Sequence, residues 1–222
     1  MNLASTRAPR WERRKESRPA ELLAAALDIF VERGFAATRL DDVAARAGVS
    51  KGTLYLYYPS KEELLKAVVR ESIVPLIEQY RRNVEQSGKP SEQLLRDFFP
   101  DWWTRFGSTQ LAGIAKLIIG EAGNFPELAR FFQEEVVVPN LQLLITIVQR
   151  GIERGEFKPV DLESAVHIWM APLVLKAIWR HSIGPCCPPE FDVPVERVLK
   201  THIDLILDAI RARPETANGS RS

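Results

Sequence analysis

Residues 44–58 read Ala44-Ala45-Arg46-Ala47-Gly48-Val49-Ser50-Lys51-Gly52-Thr53-Leu54-Tyr55-Leu56-Tyr57-Tyr58, and together with residues 38–43 they spell two short helices joined by a tight turn. Leu40, Val43, Ala44 and Ala47 recur at i, i+3, i+4 and i+7, which gives the first helix one apolar face. Thr38 followed by Asp41 has the spacing of a capping box and predicts the start of that helix. Gly48 follows its last turn, where the chain reverses through a left-handed conformation that only glycine adopts without steric cost. Ser50 is placed to cap the second helix. Small Ala44 and Ala47 let the two helices cross closely, and Val49, Leu54 and Tyr58 can fill the angle between them. The residues left over on the second helix are Lys51, Gly52, Thr53, Tyr55, Leu56 and Tyr57, a basic, hydroxyl and aromatic surface, and three of the chain's four tyrosines fall within residues 55–58. Lys51 suits a phosphate, Thr53 and the phenols can donate to phosphate or base edges, and Gly52 permits close approach of the helix start to an anion. A helix-turn-helix with this outward chemistry implies a DNA reader, in preference to an ordinary helical hairpin with tyrosines at its rim.

Further matches lie on either side. Gly34-Phe35, Thr38, Val43-Ala44, residues 47–55, Tyr57-Tyr58 and the run Lys61-Glu62-Glu63-Leu64-Leu65 resemble the DNA-binding domain of TetR-family transcriptional regulators. The resemblance covers about the first third of the chain. It implies an all-α dimer with an N-terminal helix-turn-helix and a larger helical domain for a small-molecule effector. It places Ser50, Lys51, Gly52, Thr53, Tyr55 and Tyr57 where the family touches DNA, and Lys61 where it anchors a phosphate at the start of the next helix. Thr38, Arg39 and Leu56 complete the expected DNA-facing set. Leu56 and Tyr58 depart from the family's pattern, which often has a polar or His residue and a Phe at these places, and Leu56 leaves the base preference open.

The chain has 222 residues, 45% of them hydrophobic, enough for one small and one larger helical unit. Its net charge is only +1, but residues 1–18 carry six basic and two acidic side chains, a local +4. A flexible basic arm over 1–17 that lies along phosphates or enters a minor groove is one expectation, and a solvated disordered start is the other. No hydrophobic signal core begins the chain, and apolar runs such as 141–148 and 168–175 fall short of the ~20 residues that span a bilayer, so a cytoplasmic protein without membrane contact is expected. Cys186 and Cys187 are adjacent in a Pro-rich loop, a geometry too strained for an ordinary bridge. With three histidines in all, no metal site and no cofactor are implied. An enzyme finds no support either: no phosphate-cradling Gly-rich loop, no His-Glu-x-x-His and no Gly-x-Ser-x-Gly occurs.

Helical spacing continues through the chain with no competing strand signal. Helices are predicted over 19–33, from 61 to Tyr80 and beyond with Pro75 kinking it, and over 91–106, 110–122, 126–154, 162–182 and 194–211. These divide into a helix-turn-helix domain at 18–62, a ligand-binding and dimerisation domain at 63–212 and a disordered tail at 213–222. Residues 120–128 are also reminiscent of the effector domains of TetR-type efflux regulators. Phe98, Phe99, Trp102, Trp103 and Phe106 form an aromatic stripe bent at Pro100. Core packing accounts for most of such a stripe, but part of it can wall an apolar pocket. Phe125, Phe131, Phe132 and Trp169 are candidates for its other walls, and His167 for a polar contact. The last two helices have more apolar surface than one small body needs, so Leu173, Ile178, Leu199, Ile203, Ile206 and Ile210 are the expected homodimer interface. The resulting expectation is a ligand-responsive repressor that binds a pseudo-palindromic double-stranded DNA operator and is released by an apolar small molecule. A DNA-binding protein of the same fold whose body docks another protein is the competing reading.

Overall fold

The computed structural model describes residues 10–188, 190 and 192–212. The first nine residues of the predicted arm and the predicted tail at 213–222 lie outside them. The described chain is all-α, as expected: α1 (Arg10–Ala37), α2 (Leu40–Arg46), α3 (Lys51–Tyr57), α4 (Lys61–Ser72), α5 (Val74–Gln86), α6 (Ser91–Trp102), α7 (Leu111–Glu121), α8 (Pro126–Phe132), α9 (Val138–Glu153), α10 (Leu162–Arg180) and α11 (Val195–Ile210). A π-helical turn follows α6 at Trp103–Gly107 and another joins α8 to α9 at Gln133–Val137.

Three boundaries differ from the sequence-based expectation. α1 begins at Arg10, ahead of Pro19, because the intervening Arg, Glu and Lys residues are good helix formers. The predicted arm is therefore helical from Arg10 onward. α2 is not opened by a Thr38–Asp41 capping box. Arg39 is its N-cap without a side-chain bond, and the Thr38 hydroxyl donates instead to the Gly34 carbonyl at 2.7 Å. The long helix after Lys61 is two helices, because Pro75 sits in the first turn of α5, where its missing N–H costs nothing, and the chain breaks at Ile73.

Two apolar cores result. The first joins α1–α4 to Ile114, Leu117 and Ile118 of α7 and Leu128, Phe131 and Phe132 of α8. The second holds Leu95, Phe98, Phe99 and Trp103 against Leu144, Ile147 and Val148 of α9, Leu173 of α10 and Ile203 and Leu207 of α11. The continuous helical run Pro126–Glu153 is long and apolar enough by composition to cross a membrane. Its apolar residues are instead divided between the two cores, which explains why so few of its faces are polar.

Half-buried polar groups hold the turns of the body. The Arg150 guanidinium donates to the carbonyls of Val84, Ser87 and Lys89 at 3.2, 2.9 and 2.6 Å and so closes the end of α5. Glu156 accepts the Ser91 and Glu92 amides at 2.6 and 3.3 Å and opens α6, whose own N-cap is Pro90 and offers no side-chain acceptor. Cys186 and Cys187 are free thiols.

His202 is a weak point in the second core. Its ring meets Phe99 edge-on at 5.1 Å between centroids, and its Nε2 has no hydrogen-bond partner among the described residues. Burial holds its pKa below the ordinary 6.5. On acidification the unfolded chain therefore takes up this proton before the folded one does, and stability falls as pH drops through about 6.5. We predict that the urea midpoint of the protein falls between about pH 7.5 and pH 5.5, and that His202→Leu reduces this dependence. Parallel pH profiles for the two proteins would exclude His202 as its source.

Candidate nucleic-acid interface and interior cavity

The reader is set by its turn. Gly48 has φ +66°, and nothing lies within 4 Å of where a Cβ would stand, so the requirement for glycine is conformational alone. Ser50 caps α3: its Oγ accepts the Thr53 amide at 3.1 Å and lies 2.8 Å from the Thr53 hydroxyl. Leu54 is fully buried and fastens α3 to the core. Ion pairs Arg33–Asp42 at 2.6 Å and Arg46–Glu32 at 2.9 Å fasten α2 to α1.

Outward, α3 presents exposed Lys51, Gly52, Tyr55 and Leu56, with Thr53 and Tyr57 half-buried beside them. Arg39 is exposed at the start of α2. The Lys51 ammonium lies 2.9 Å from Asp41 and 5.7 Å from the Tyr55 ring centroid. The hydrogen bond to Asp41, reinforced by its charge, raises the pKa of Lys51. Lys61 is half-buried: its Nζ donates to the Ala36 carbonyl at 3.1 Å and stands 4.5 Å over the Phe35 ring. Next to it Ser60 caps α4 by accepting the Glu63 amide at 3.1 Å. Thr38 is only 3% exposed, so its side chain positions α2 and offers no surface to a partner.

The body contains a cavity of about 380 Å³ between the two cores. The first core contributes Ile73, Ile118, Phe132 and Val136 to its walls, the second Phe98, Leu141, Leu143 and Met170, and α5 adds Leu76, Ile77 and Tyr80. Both π-helical turns border it, through Arg105 and Phe106 on one side and Gln133, Val136 and Val137 on the other. Such turns shift the following side chains around the helix and recur at functional sites. Gly107 leaves space for the neighbouring indoles: a Cβ there would meet Trp103 at 2.7 Å and Trp102 at 2.9 Å. The polar lining is Tyr80, Asp101, Arg105, Gln133 and Asn140. Arg105 is already held by Asp101 and by Gln79, each at 2.8 Å. Burial pushes the Tyr80 phenol up, and its hydroxyl reaches the Leu94 carbonyl at 3.4 Å, so it remains a neutral donor.

Residues 22–68 match the family model for bacterial regulatory proteins of the tetR family, and residues 92–185 match that for the tetracyclin repressor-like C-terminal domain. The transcriptional repressor KstR2 of Mycobacterium tuberculosis is 31% identical over 172 residues, which is 76% of this chain and 84% of that protein. The chain belongs to the TetR family. It is a transcriptional regulator with a helix-turn-helix DNA-binding domain. The fatty acid metabolism regulator protein of Bacillus subtilis is 27% identical over 146 residues, 65% of this chain and 74% of that protein. The structure of FadR from Bacillus subtilis in complex with stearoyl-CoA has the same fold, with a TM-score of 0.72, 20% identity and coverage of 86% of this chain and 99% of that one.

Within this TetR-family body, Phe98, Trp102 and Phe106 line the cavity as their stripe implied. Phe99 and Trp103, next to them on the helix, turn into the second core, as does Trp169. Phe125 packs edge-on against Phe35 at 4.7 Å. Phe131 lies under the Arg70 guanidinium at 4.9 Å, and its neighbour Phe132 takes the wall position. His167 is exposed, with Nδ1 2.7 Å from the Glu163 carbonyl, and does not reach the cavity. Of the expected further walls Phe132 alone lines the cavity, and those from α5 and Met170 were missed because they differ from core residues only by a rotation of about 100° on the same helix.

The expected dimer set is corrected as well. Leu173, Leu199, Ile203, Ile206 and Ile210 are buried in the protomer's own second core, and Ile178 is half-buried. The outward apolar stripe of α10 is Ile168, Ala171, Pro172, Leu175 and Trp179, and Leu205 and Ala209 continue it on α11. On α10 both faces carry apolar residues, and the helical period alone does not say which is inside; α11 has one apolar face, and the protomer's own core takes it.

The Lys51–Asp41 pair has a direct consequence for DNA. Asp41 sits on the expected phosphate side and engages the exposed Lys51 there, so a phosphate must compete for it. Asp41→Asn is predicted to strengthen DNA binding a few-fold and Lys51→Ala to weaken it, both measured at fixed salt by fluorescence anisotropy. Weaker binding by Asp41→Asn would show instead that the pair orders α3 for docking.

Proposed function

We propose that two copies of this chain form a repressor that holds a pseudo-palindromic operator with its two α3 helices and leaves it when an apolar, chain-like effector fills the cavity. The observation that carries this reading is the place of Ile73. It is buried at the break between α4 and α5, belongs to the reader's core and also lines the cavity. A molecule that separates Ile73 and Ile77 from Phe132 and Val136 thus acts on the helix that supports the reader. The apolar walls with a few polar side chains at the margin suit a long hydrocarbon body with one polar end. The fatty acid metabolism regulator named above is consistent with an acyl thioester. A full switch requires a preference of about 5.5 kcal/mol between the two states. At about 25 cal/mol per Å² this corresponds to roughly 220 Å² of additional buried apolar surface, within reach of a long acyl chain.

The test is a titration with stearoyl-CoA, followed by tryptophan fluorescence and by binding to operator DNA selected from a random pool. Saturation is expected to change the emission of Trp102, which lines the cavity, and to weaken operator binding at least tenfold. Ala129→Trp, which fills the cavity, is expected to abolish both effects while DNA binding is retained. Binding of stearoyl-CoA with unchanged operator affinity would overturn the switch.

Dimerisation through the outward stripe of α10 and α11 is supported by its helical spacing and its exposure, 63% at Leu175 and 67% at Leu205. One reader covers one half-site, and pairing two doubles the contact. Replacing Leu175 and Leu205 together with Glu is expected to yield monomers in sedimentation velocity and to weaken operator binding, because two carboxylates are then desolvated on each side of the interface. A wild-type monomer with full operator affinity at micromolar concentration would refute this arrangement.

A further inference from the structure

Leu56 is 86% exposed, the most exposed large apolar side chain among the described residues, and it stands on the outward face of α3. It has no part in the fold. The helix is fastened by Leu54, which is fully buried, and its start by the Ser50 cap. The residues around Leu56 are hydrogen-bonding ones: Lys51 with Asp41, Ser50 with Thr53, and Tyr55. It therefore belongs to no extended apolar patch of the size that a protein partner covers. Gly52 lies one turn earlier on the same face, and helical side chains lean toward the N-terminus, so Leu56 projects over a position without a side chain. A Cβ built on Gly52 would have only the Ser50 Oγ near it, at 3.9 Å. The outward face of α3 thus combines a bare backbone, which allows close approach, with one isolated apolar probe.

The edges of the four base pairs in the major groove are hydrogen-bond donors and acceptors with one apolar exception, the C5 methyl of thymine. We infer that Leu56 reads a thymine: each operator half-site carries one whose methyl packs on the Leu56 side chain. This inference rests on α3 being the helix that enters the groove. It assigns to Leu56 a specificity that hydrogen bonding from Lys51, Thr53 and Tyr55 cannot supply, since none of these distinguishes a methyl from a hydrogen.

The experiment uses the full-length protein and an operator duplex selected from a random pool. Each symmetry-related pair of thymines is replaced in turn by deoxyuridine, which removes the methyl and leaves pairing intact, and binding of wild type and Leu56→Ala is measured at one salt concentration. Burial of a methyl is worth about fourfold in affinity, so one thymine pair is expected to cost the wild-type dimer about fifteenfold when both methyls are lost. The same replacement should leave Leu56→Ala unaffected, with the other positions alike for both proteins. Thermal melting of Leu56→Ala should match wild type, because the residue is exposed. Identical uridine profiles for the two proteins, with Lys51→Ala and Tyr55→Ala still weakening binding, would overturn the inference about Leu56 and leave α3 as the reader. No effect from Leu56→Ala, Lys51→Ala or Tyr55→Ala would overturn both.

Discussion

The contact between Phe35 and Phe125 is the constraint on which the placement of the reader depends. Phe35 is fully buried, lies 5.9 Å from Phe30 and meets Phe125 edge-on at 4.7 Å. It reaches this place because Gly34, at φ +79°, turns the end of α1 back on itself. The Thr38 hydroxyl then holds the Gly34 carbonyl, and Lys61 closes over the ring from α4. On the body's side the Ala36 amide donates to Glu121 at 3.2 Å, and Arg70 pairs with Glu135 at 2.7 Å. Further along, Gly113 lets α1 and α7 approach until Val31 occupies the space of a missing Cβ, 2.7 Å from where that atom would stand. The reader is therefore not an appended module. It shares a core with α7 and α8, and interiors packed to this density transmit displacement instead of absorbing it.

Electrostatics act locally on this frame. A net charge of +1 provides no general attraction to DNA, so affinity must come from the few cations that the fold aims outward. The pairs Arg33–Asp42, Arg46–Glu32 and Lys51–Asp41 are all exposed, and such pairs contribute little stability. Their effect is on register, by fixing how α2 and α3 lie on α1. The same reasoning separates two lysines that look equivalent in the sequence. Lys61 is engaged by a carbonyl and a ring and mainly joins α4 to α1, whereas Lys51, beside the Tyr55 ring, is held by a carboxylate that a phosphate can replace.

What was legible in the sequence follows from how local its cause is. Gly48 and Ser50 act within four residues of themselves, and the structure places each where its chemistry implied. The all-α class and most helix limits follow from spacing in the same way. Thr38 shows the limit of local reading: its spacing to Asp41 fits a capping box, but the Gly34 carbonyl is the better partner once α1 has turned back. The cavity was legible only as an aromatic-rich region. Which of Phe98 and Phe99, or Trp102 and Trp103, faces it depends on how α6 is rotated against its neighbours, and the π-helical turn that follows is announced by no periodicity. α10 and α11 failed for a related reason. Leu173 and Leu175, or Ile203 and Leu205, are chemically equivalent, and only the packed protomer shows which is inside.

In the proposed switch, the two cores let one cavity control the reader. The run Pro126–Glu153 passes through both and acts as a common rail, with its π-helical turn at the level of the cavity. Opposite it, α4 and α5 are broken at Ile73, where Pro75 cannot donate a hydrogen bond back across the joint. One wall of the cavity is thus continuous and the other is hinged. A ligand seated only against Phe98 and Met170 touches the second core alone and has no purchase on the hinge. A ligand that also fills the space between Phe132 or Val136 and Ile73 must displace α4, and with it the α1–α4 unit that holds α3. Only the contacts of the second kind differ between the two states, and only differential contacts shift an equilibrium. Affinity for the cavity and control of DNA are therefore separable properties of an effector, set by different walls of the same space.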